Sequence, residues 1–540
     1  MSFDLDRRRL LQLGAFGAGA LAVPGTAAAL SAARGFTHGV ASGEPSQASV
    51  LLWTRYVGRG ETGLVAEMSE SASFDREAAS GKAVASPATD YTAKTTVSGL
   101  QPGRWYYYRF RAPNGDRSPI GRTRTLPDGP VGRFALAVFS CSNLPFGWFN
   151  AYAHAAERSD LDAVVHVGDY LYEYPRGAYP SVAEALPGRL IEPGNEIIHL
   201  TDYRLRHAAY RADPDLRLML QRFPLIAMWD DHESANDSWT GGAENHQPAT
   251  EGPWAARKAA AVRAYREWLP VSDAIYEEYR VGDLATIFRP ETRLTGRTHQ
   301  LWLEGEVKGK ADLKAAITAF RDGPWSDPSH TLMGAAQERQ LAEGFRRSVA
   351  SGVRWQVLAQ QVVMGPLALP KEAAGWLGPD ATKEARAATR IGLIASSLGL
   401  PFNFDSWDGY PAARSRLLRS AQEANANLVV LSGDSHNAWG FDLDEGGKPA
   451  GVEFAGQSVT SPGYESDGLS VSPREIERAV IERNPHLKWA NLERRGYLAI
   501  ELTPARATGE WLLLDTIRKR STALAGQHRM SVAHGSNRLS

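Results

Sequence analysis

Seven side chains able to bind a metal follow four short apolar runs of the sequence. The runs span residues 134–142, 163–172, 225–233 and 428–439, and each has the length of a buried strand. In α/β proteins, sites form beyond the carboxyl ends of strands, where residues distant in sequence meet. We therefore predict a metal-dependent hydrolase whose site is formed by Cys141, Asp169, Tyr172, Asp231, His232, Asp434 and His436.

Each motif taken alone also has a plain structural interpretation. Cys141 is compatible with a buried free thiol as well as with a thiolate ligand. Asp169 and Tyr172, in GDYLY, are compatible with a turn aspartate and a packed tyrosine, and Asp231 with a helix cap. The repetition favours a metal site, because four separate runs that each end in ligands are improbable by chance.

The spacing of these residues predicts phosphate-ester hydrolysis. Asp434 and His436 are two residues apart, so on an extended chain they point the same way and reach one metal pair. Two cations about 3.5–4 Å apart activate a hydroxide and neutralise charge on an attacked phosphoryl group. His232 carries an imidazole that titrates near neutral pH, and we predict that it steadies or protonates the leaving oxygen.

Arg293 is the predicted contact to the phosphate. It follows the apolar run 284–290, and arginine suits bidentate contacts to phosphate, although a surface salt bridge is the alternative. Arg204 and His207 are weaker candidates, more typical of a helix face.

The composition is that of a globular chain. It has 540 residues, 43% of them hydrophobic, which is long enough for two or more domains. A formal net charge of −1 gives no basic footprint for nucleic acid. The single cysteine excludes an internal disulfide, so stability must come from core burial.

The first 33 residues read as a targeting segment. A basic stretch, DRRRLLQ at 6–12, precedes a short glycine-rich apolar stretch and an A-x-A-like cleavage site. The paired arginines indicate a twin-arginine signal peptide, with a general secretory signal as the alternative. We predict export through the twin-arginine translocase to the periplasm or outside the cell. Later segments lack the ~18 uninterrupted apolar residues of a transmembrane helix.

The mature chain divides by pattern. Residues 34–127 alternate like strands and resemble a fibronectin type III-like sandwich, and residues 131–518 alternate strands with helices. We read 367–404 as an insertion near the site and 519–540 as a polar tail, mobile or peripheral. Helices are predicted over 150–158, 214–222, 253–269, 337–348 and 412–424, and further strands over 284–290, 355–361, 497–503 and 510–517.

Several segments together resemble the PhoD family of alkaline phosphatases and phosphodiesterases, within the metallophosphatase superfamily. The resemblance spans nearly the whole chain. It is carried by residues 35–55, FSCSN (139–143), HVGDYLYEY (166–174), 202–216, WDDHE (229–233), VLAQQ (357–361), DSWDGYPAAR (405–414) and LSGDSHNAW (431–439).

The resemblance implies a metallophosphatase-like αββα sandwich after the N-terminal β domain, and the cofactors Fe³⁺ and Ca²⁺. Cys141 and Tyr172 would be iron ligands, Asp169 would bridge to a second metal, and His232 would be the catalytic histidine. Asp231, Asp434 and His436 would complete the ligand set. One departure is Glu291 before Thr292 and Arg293, where the family is expected to have aspartate.

The predicted function is an exported alkaline phosphatase that hydrolyses phosphate monoesters or diesters through a metal-bound hydroxide. Its partners are small-molecule phosphate esters. One alternative is a phospholipase D-like phosphodiesterase acting on lipid or cell-wall phosphodiesters. Another is a non-catalytic periplasmic module that binds phosphate.

Overall fold

The computed structural model describes residues 33–466 and 468–540, so the predicted signal peptide, except for its last residue, lies outside the described residues. The largest sheet runs in the order β20 (Leu524–Ala533), β19 (Arg506–Leu514), β18 (Gly496–Leu502), β8 (Phe134–Phe139), β9 (Ala163–His166), β10 (Pro224–Ala227), β1 (Gly35–Gly43), β2 (Ser49–Val57) and β5 (Thr92–Ser98).

Two further sheets complete the described strands. The second sheet runs β11 (Glu277–Val281), β12 (Ala285–Arg289), β13 (Trp355–Ala359), β14 (Leu428–Ser432), β16 (Lys448–Ala455), β15 (Ala438–Glu445) and β17 (Leu487–Asn491). The third sheet runs β4 (Ala79–Ala85), β3 (Thr62–Ser69), β6 (Trp105–Arg111) and β7 (Gly121–Arg124).

The two larger sheets stack face to face because their central strands are apolar on both faces. In β8, Leu136 and Val138 point inward, into a core shared with Val357 and Val429 of the second sheet. The alternate residue Phe139 points outward against helices. Burial of apolar side chains on both faces stabilises this layering by about 25 cal/mol for each Å² of apolar surface removed from water. The predicted αββα fold class is confirmed.

Helices cover the outer faces of both large sheets. Phe345 and Leu417, from the helices Gly334–Ala350 and Pro411–Glu423, pack against the second sheet. The predicted helices form with small shifts at their ends. The described helices are Asn150–Glu157, Leu200–Arg211, Pro214–Arg222, Pro248–Glu251, Trp254–Trp268, Leu303–Val307, Leu313–Asp322, Gly334–Ala350, Lys383–Ser397, Pro411–Glu423 and Pro473–Arg483.

The N-terminal strands form two facing sheets, but one of them continues into the largest sheet. β1 pairs in parallel with β10, with Ser42 opposite Pro224 and Gly43 opposite Leu225. A Cβ on Gly43 would lie 2.2 Å from the carbonyl oxygen of Pro270, so glycine permits this close approach. The strands of 34–127 are therefore attached to the α/β core by backbone hydrogen bonds as well as by the linker.

The polar segment 519–540, expected as a mobile or peripheral tail, instead supplies an ordered edge strand. β20 pairs antiparallel with β19, where Trp511 lies opposite His528. An alternation of half-buried and exposed residues along Leu524–Ala533 is typical of an edge strand with one face covered. The low hydrophobicity of the segment concealed this role, because an edge strand buries little apolar area.

Candidate metal centre

The predicted ligands follow neighbouring parallel strands. β8, β9 and β10 lie side by side in one sheet, and β12, β13 and β14 lie side by side in the other. Cys141, Asp169 and Asp231 come after the first three strands, and Arg293 and Asp434 come after β12 and β14. The carboxyl ends of these strands therefore meet at one edge of the stacked sheets, as the sequence predicts.

Three overlapping sets of side chains there have the geometry of cation ligands. The ligand atoms of Cys141, Asp169 and His436 lie within 4.8 Å of one another, as do those of Asp169, Asp231 and His232. A third set of the same spacing contains Asp231, Asp434 and Asp230. Asp169 belongs to the first two sets and Asp231 to the last two, so one continuous site results.

Tyr172 joins the first set through its hydroxyl group. That oxygen lies 3.2 Å from Asp169 Oδ2 and 3.2 Å from His436 Nε2. His436 Nδ1 lies 2.7 Å from the carbonyl oxygen of Pro462, which only accepts hydrogen bonds. The proton of the neutral ring is therefore on Nδ1, and the Nε2 lone pair faces the site.

Four of these residues have backbone conformations that L side chains rarely adopt. The φ angles are 57° at Cys141, 55° at Asp169, 61° at Asp434 and 61° at His436. Such conformations cost roughly 1–3 kcal/mol each and cluster at functional sites. The tight turns after the strands thus aim these side chains at one point at a cost in stability.

Close packing between the strand ends explains two glycines. A Cβ on Gly168 would lie 2.4 Å from Asp230 Cβ, and Gly168 has a φ of +107°. A Cβ on Gly433 would lie 2.5 Å from Ser140 Cβ. Real Cβ atoms do not approach this closely, so both positions require glycine for the turns to meet.

Arg293 lies at the centre of the acidic residues and its side chain is fully buried. Its Nε donates to Asp230, and its Nη atoms lie 2.8 Å from Asp405 and 3.2 Å from Asp434. Asp231 Oδ1 is 3.6 Å away. The guanidinium therefore neutralises part of the carboxylate cluster, and its predicted contact with a phosphate stays a prediction.

His232 is fixed by a buried carboxylate. Its Nδ1 lies 2.7 Å from Glu173 Oε2, while Glu173 Oε1 accepts from Asn236 N and Asn245 Nδ2, each at 2.8 Å. Burial alone lowers the pKa of His232, but the charges of Asp231, Glu173 and Asp169 raise that pKa well above its usual value. Glu173 therefore holds the ring through Nδ1 and leaves Nε2 for the site.

The remaining electrostatics favour a bound cation. Burial, together with neighbouring carboxylates, raises the pKa of Asp169 and of Asp434 well above the usual value. Burial, followed by the charge of Asp169, likewise raises the pKa of Cys141 and of Tyr172. Asp434 shares the charge of Arg293 with other aspartates, and Asp169, Cys141 and Tyr172 form no ion pair among the described residues, so a metal ion would supply the missing positive charge.

The donor set fits such an ion. Asp169 Oδ1, Asp230 Oδ2 and Asp231 Oδ1 are buried and have no hydrogen-bond partner among the described residues. Buried carboxylate oxygens are normally satisfied, so these three point to a ligand. Thiolate, phenolate and imidazole in the first set suit a transition metal, and the all-carboxylate third set suits a harder cation.

The weaker candidates lie elsewhere on the helix Leu200–Arg211. Arg204 forms an ion pair with Glu267, with Nε 2.6 Å from Oε2. His207 is buried against the rings of Tyr170 and Tyr265, and both of its nitrogens lack a hydrogen-bond partner in the described part of the chain. Neither belongs to the three ligand sets.

The structure adds four residues that the motifs did not assign. These are Asp230, which shares a ligand set, Glu173, which orients His232, Asp405, which pairs with Arg293, and Ser461, whose Oγ lies 2.7 Å from the Tyr172 hydroxyl. Asp230, Glu173 and Asp405 stand in the quoted segments WDDHE, HVGDYLYEY and DSWDGYPAAR, so a signal existed for them. Ser461 follows no recognisable motif.

None of the described helices combines the length and the apolar character that crossing a bilayer requires.

An αββα core whose facing strand ends carry side chains able to hold cations defines a metallophosphatase-like protein. Comparison of the sequence with family models gives the same class. The model for PhoD-like phosphatase matches residues 136–511, and that for the PhoD-like phosphatase, N-terminal domain, matches 22–127. The chain therefore belongs to the PhoD-like phosphatase family, which confirms the resemblance seen in its motifs.

Individual proteins agree with this assignment. The chain is 31% identical over 516 residues to alkaline phosphatase D of Bacillus subtilis (strain 168), an alignment covering 91% of this chain and 79% of that protein. A solved structure titled "Structure of PhoD" superimposes with a TM-score of 0.77 at 29% identity, covering 94% of this chain and 92% of that one.

Proposed function

We propose that this protein is an exported, metal-dependent phosphatase that hydrolyses small-molecule phosphate esters, with Fe³⁺ and Ca²⁺ as its cofactors. The observation that carries the proposal is the set of three overlapping ligand groups that share Asp169 and Asp231. Membership of the PhoD-like phosphatase family and the similarity to alkaline phosphatase D support the reaction class. The twin-arginine pattern at 6–12 supports export to the periplasm or the outside.

The two cations are assigned by donor chemistry. Cys141, Tyr172 and His436 would hold the iron, because thiolate, phenolate and imidazole suit a transition metal. Asp231 and Asp434 would hold calcium, which prefers carboxylate oxygens, and Asp169 would bridge the two. Bound cations of this kind supply an activated water and neutralise charge on the phosphoryl group.

The protein's own residues supply orientation and a proton. His232 is held through Nδ1 by Glu173, which leaves Nε2 to donate a proton to the leaving oxygen in the proposed reaction. Arg293 keeps four carboxylates at fixed positions, and its proposed contact is with a phosphoryl oxygen of the substrate.

The test is turnover by the purified protein under controlled metal loading. We expect hydrolysis of p-nitrophenyl phosphate, bis-p-nitrophenyl phosphate or both, lost with a chelator and restored by Ca²⁺ once iron is in place. Preference for the diester would favour a phosphodiesterase. No turnover of either substrate by protein containing both metals would exclude an enzyme and leave the phosphate-binding module.

Cys141→Ser provides the sharpest test of the iron site. The serine oxygen replaces a soft thiolate at the same strained turn, so we expect loss of iron and of activity. Ser142→Ala is the matched control, because its hydroxyl contacts the backbone carbonyl of Tyr170 at 2.9 Å and lies outside the ligand sets. A Cys141→Ser protein with full iron content and activity would refute the assignment.

A further inference from the structure

The Tyr172 oxygen has three polar neighbours in the described part of the chain. Asp169 Oδ2 and His436 Nε2 each lie 3.2 Å away, and Ser461 Oγ lies closer, at 2.7 Å. Tyr172 and Ser461 are both buried. The hydroxyl of Ser461 is thus the nearest of these partners of the proposed phenolate ligand.

The positions of the protons determine which atom donates in each of these hydrogen bonds. His436 carries its proton on Nδ1, opposite the Pro462 carbonyl, so Nε2 only accepts. Asp169 is likewise an acceptor when it is ionised beside a cation. Once Tyr172 binds a cation and gives up its proton to solvent, its oxygen also only accepts. Of its three neighbours, Ser461 alone then has a proton to donate.

Ser461 is free to make that donation. Its other partner, the Cys141 carbonyl oxygen at 3.0 Å, also receives the backbone N–H groups of Thr460 at 3.3 Å and of Ser461 at 3.2 Å. Turning the hydroxyl toward Tyr172 therefore leaves no buried carbonyl without a donor.

The position of Ser461 is itself held firmly. Its carbonyl oxygen accepts from Arg495 Nη1 at 2.8 Å, and the same nitrogen donates to the His436 carbonyl at 2.6 Å. Arg495 Nη2 is paired with Glu465 at 2.7 Å. One buried arginine thereby ties the loop that carries Ser461 to the turn that carries a proposed ligand.

We propose that Ser461 is a positioning residue whose hydroxyl donates to the Tyr172 phenolate and so sets the orientation and electron donation of this ligand. The proposal rests on the iron site proposed above. Partners of this kind outside the ligand shell typically change metal affinity by about 10–100-fold. The serine contacts neither the substrate nor the metal, so its effect must appear in the properties of the bound iron.

The experiment compares Ser461→Ala with wild type in iron retention and in visible absorption. A tyrosinate bound to ferric iron gives a charge-transfer band whose energy depends on hydrogen bonding to the phenolate. We expect Ser461→Ala to shift this band and to lose iron to a competing chelator about 10-fold more readily. Ser461→Thr, which keeps the hydroxyl, should restore both properties.

Two controls separate this role from a merely structural one. Ser466→Ala removes a hydroxyl whose hydrogen bond, among the described residues, goes to the Gly463 carbonyl on the same loop. This change should leave the band and the iron retention unchanged. The melting temperature of metal-free Ser461→Ala should match that of metal-free wild type.

Each remaining outcome counts against the proposal. A Ser461→Ala protein with the wild-type band and retention overturns it, as does an equal effect of Ser466→Ala. The proposal is also overturned if Ser461→Ala loses iron and its metal-free form melts at a lower temperature than metal-free wild type. If wild-type protein that hydrolyses phosphate esters contains iron but shows no such band, the tyrosinate assignment fails first, and the role of Ser461 fails with it.

Discussion

Glu173 and His232 form a buried pair in which Oε2 and Nδ1 lie 2.7 Å apart. The other oxygen of Glu173 accepts two further hydrogen bonds, from Asn236 and Asn245. This arrangement holds the imidazole through Nδ1 and places a carboxylate charge beside it. The proposed proton donor thus depends on a carboxylate 59 residues away in sequence.

Replacing Glu173 by glutamine tests this dependence. The two donors at Oε1 favour the amide oxygen on that side, so the amide NH₂ faces Nδ1 and inverts the tautomer. We expect kcat to fall by about 100-fold with KM little changed. Loss of the Glu173 charge lowers the pKa of His232. As pH rises, activity that needs the protonated ring is therefore lost at a lower pH in the variant than in wild type. Steady-state kinetics across pH measure both effects.

Glu196→Gln is the matched control for this change, because Glu196 pairs with Arg257 at 2.8 Å and makes no hydrogen bond or ion pair with His232. An unaltered pH profile in Glu173→Gln would remove His232 from the proposed role.

Arg293→Lys should destabilise the protein strongly. A single ammonium group cannot contact Asp230, Asp405 and Asp434 together, as the planar guanidinium does. Breaking buried ion pairs costs about 3–5 kcal/mol, so we expect a loss of that order in metal-free protein. Denaturant unfolding measures it. Arg297→Lys should cost less, because within the described part of the chain Arg297 forms an ion pair with one aspartate, Asp405. Equal losses would contradict this reading.

Gly433→Ala should separate the strand ends. The new methyl group would lie 2.6 Å from Ser140 Oγ and 2.9 Å from Val167 Cγ2, and overpacking of this kind costs about 1–3 kcal/mol. Displacement of Asp434 should also reduce the metal content of the purified protein. The metal content and the melting temperature are both measured. Gly378→Ala, with open space around the position, should be neutral. Adding Ser140→Gly should restore part of the loss, and failure of this rescue would argue against the steric cause.

Glu453→Gln should remove part of the pH dependence of stability. Burial raises the pKa of Glu453, and hydrogen bonds from Ser432, Met364 and Gly365 lower it. Burial is the larger effect, and the resulting pKa is about 7. Between pH 4.5 and about 7 the folded state keeps a proton that the unfolded state has lost, so stability falls as pH rises through this window. The loss is of order 3 kcal/mol at 1.36 kcal/mol per unit of pKa.

Unfolding of Glu453→Gln and wild type at several pH values checks this slope. The slope should be shallower in the variant between pH 4.5 and about 7 and alike in both proteins above that range. Glu343→Gln, at an exposed position, should behave like wild type. Parallel curves for Glu453→Gln and wild type would show that Glu453 does not titrate in this window.

Local patterns in the sequence were sufficient to predict the layers and most of the site. Apolar runs such as Phe134–Phe139 and Leu428–Ser432 became central strands because residues apolar on both faces must be covered on both sides. Cys141, Asp169, Asp231 and Asp434 then met at one edge, since parallel neighbouring strands end together. These conclusions need only strand length and residue type, which are local properties.

The sequence was less informative where pairing joins distant segments. It did not indicate that β1 would extend the largest sheet beside β10, or that Leu524–Ala533 would form its edge. Hydrogen bonds between strand backbones carry no side-chain signature, and an edge strand has weak hydrophobicity.

By itself, then, the sequence determined the strands and the turns that carry the candidate ligands, because these rest on residues close together in the chain. Its ordered motifs, spread over most of the chain, indicated the family and with it the αββα class. Only the tertiary structure decided that Arg293 is shared among four aspartates and that Ser461 lies against Tyr172, 289 residues apart. The physical reason is that burial and charge compensation depend on which side chains enclose a group, and those neighbours are chosen by packing of the whole chain.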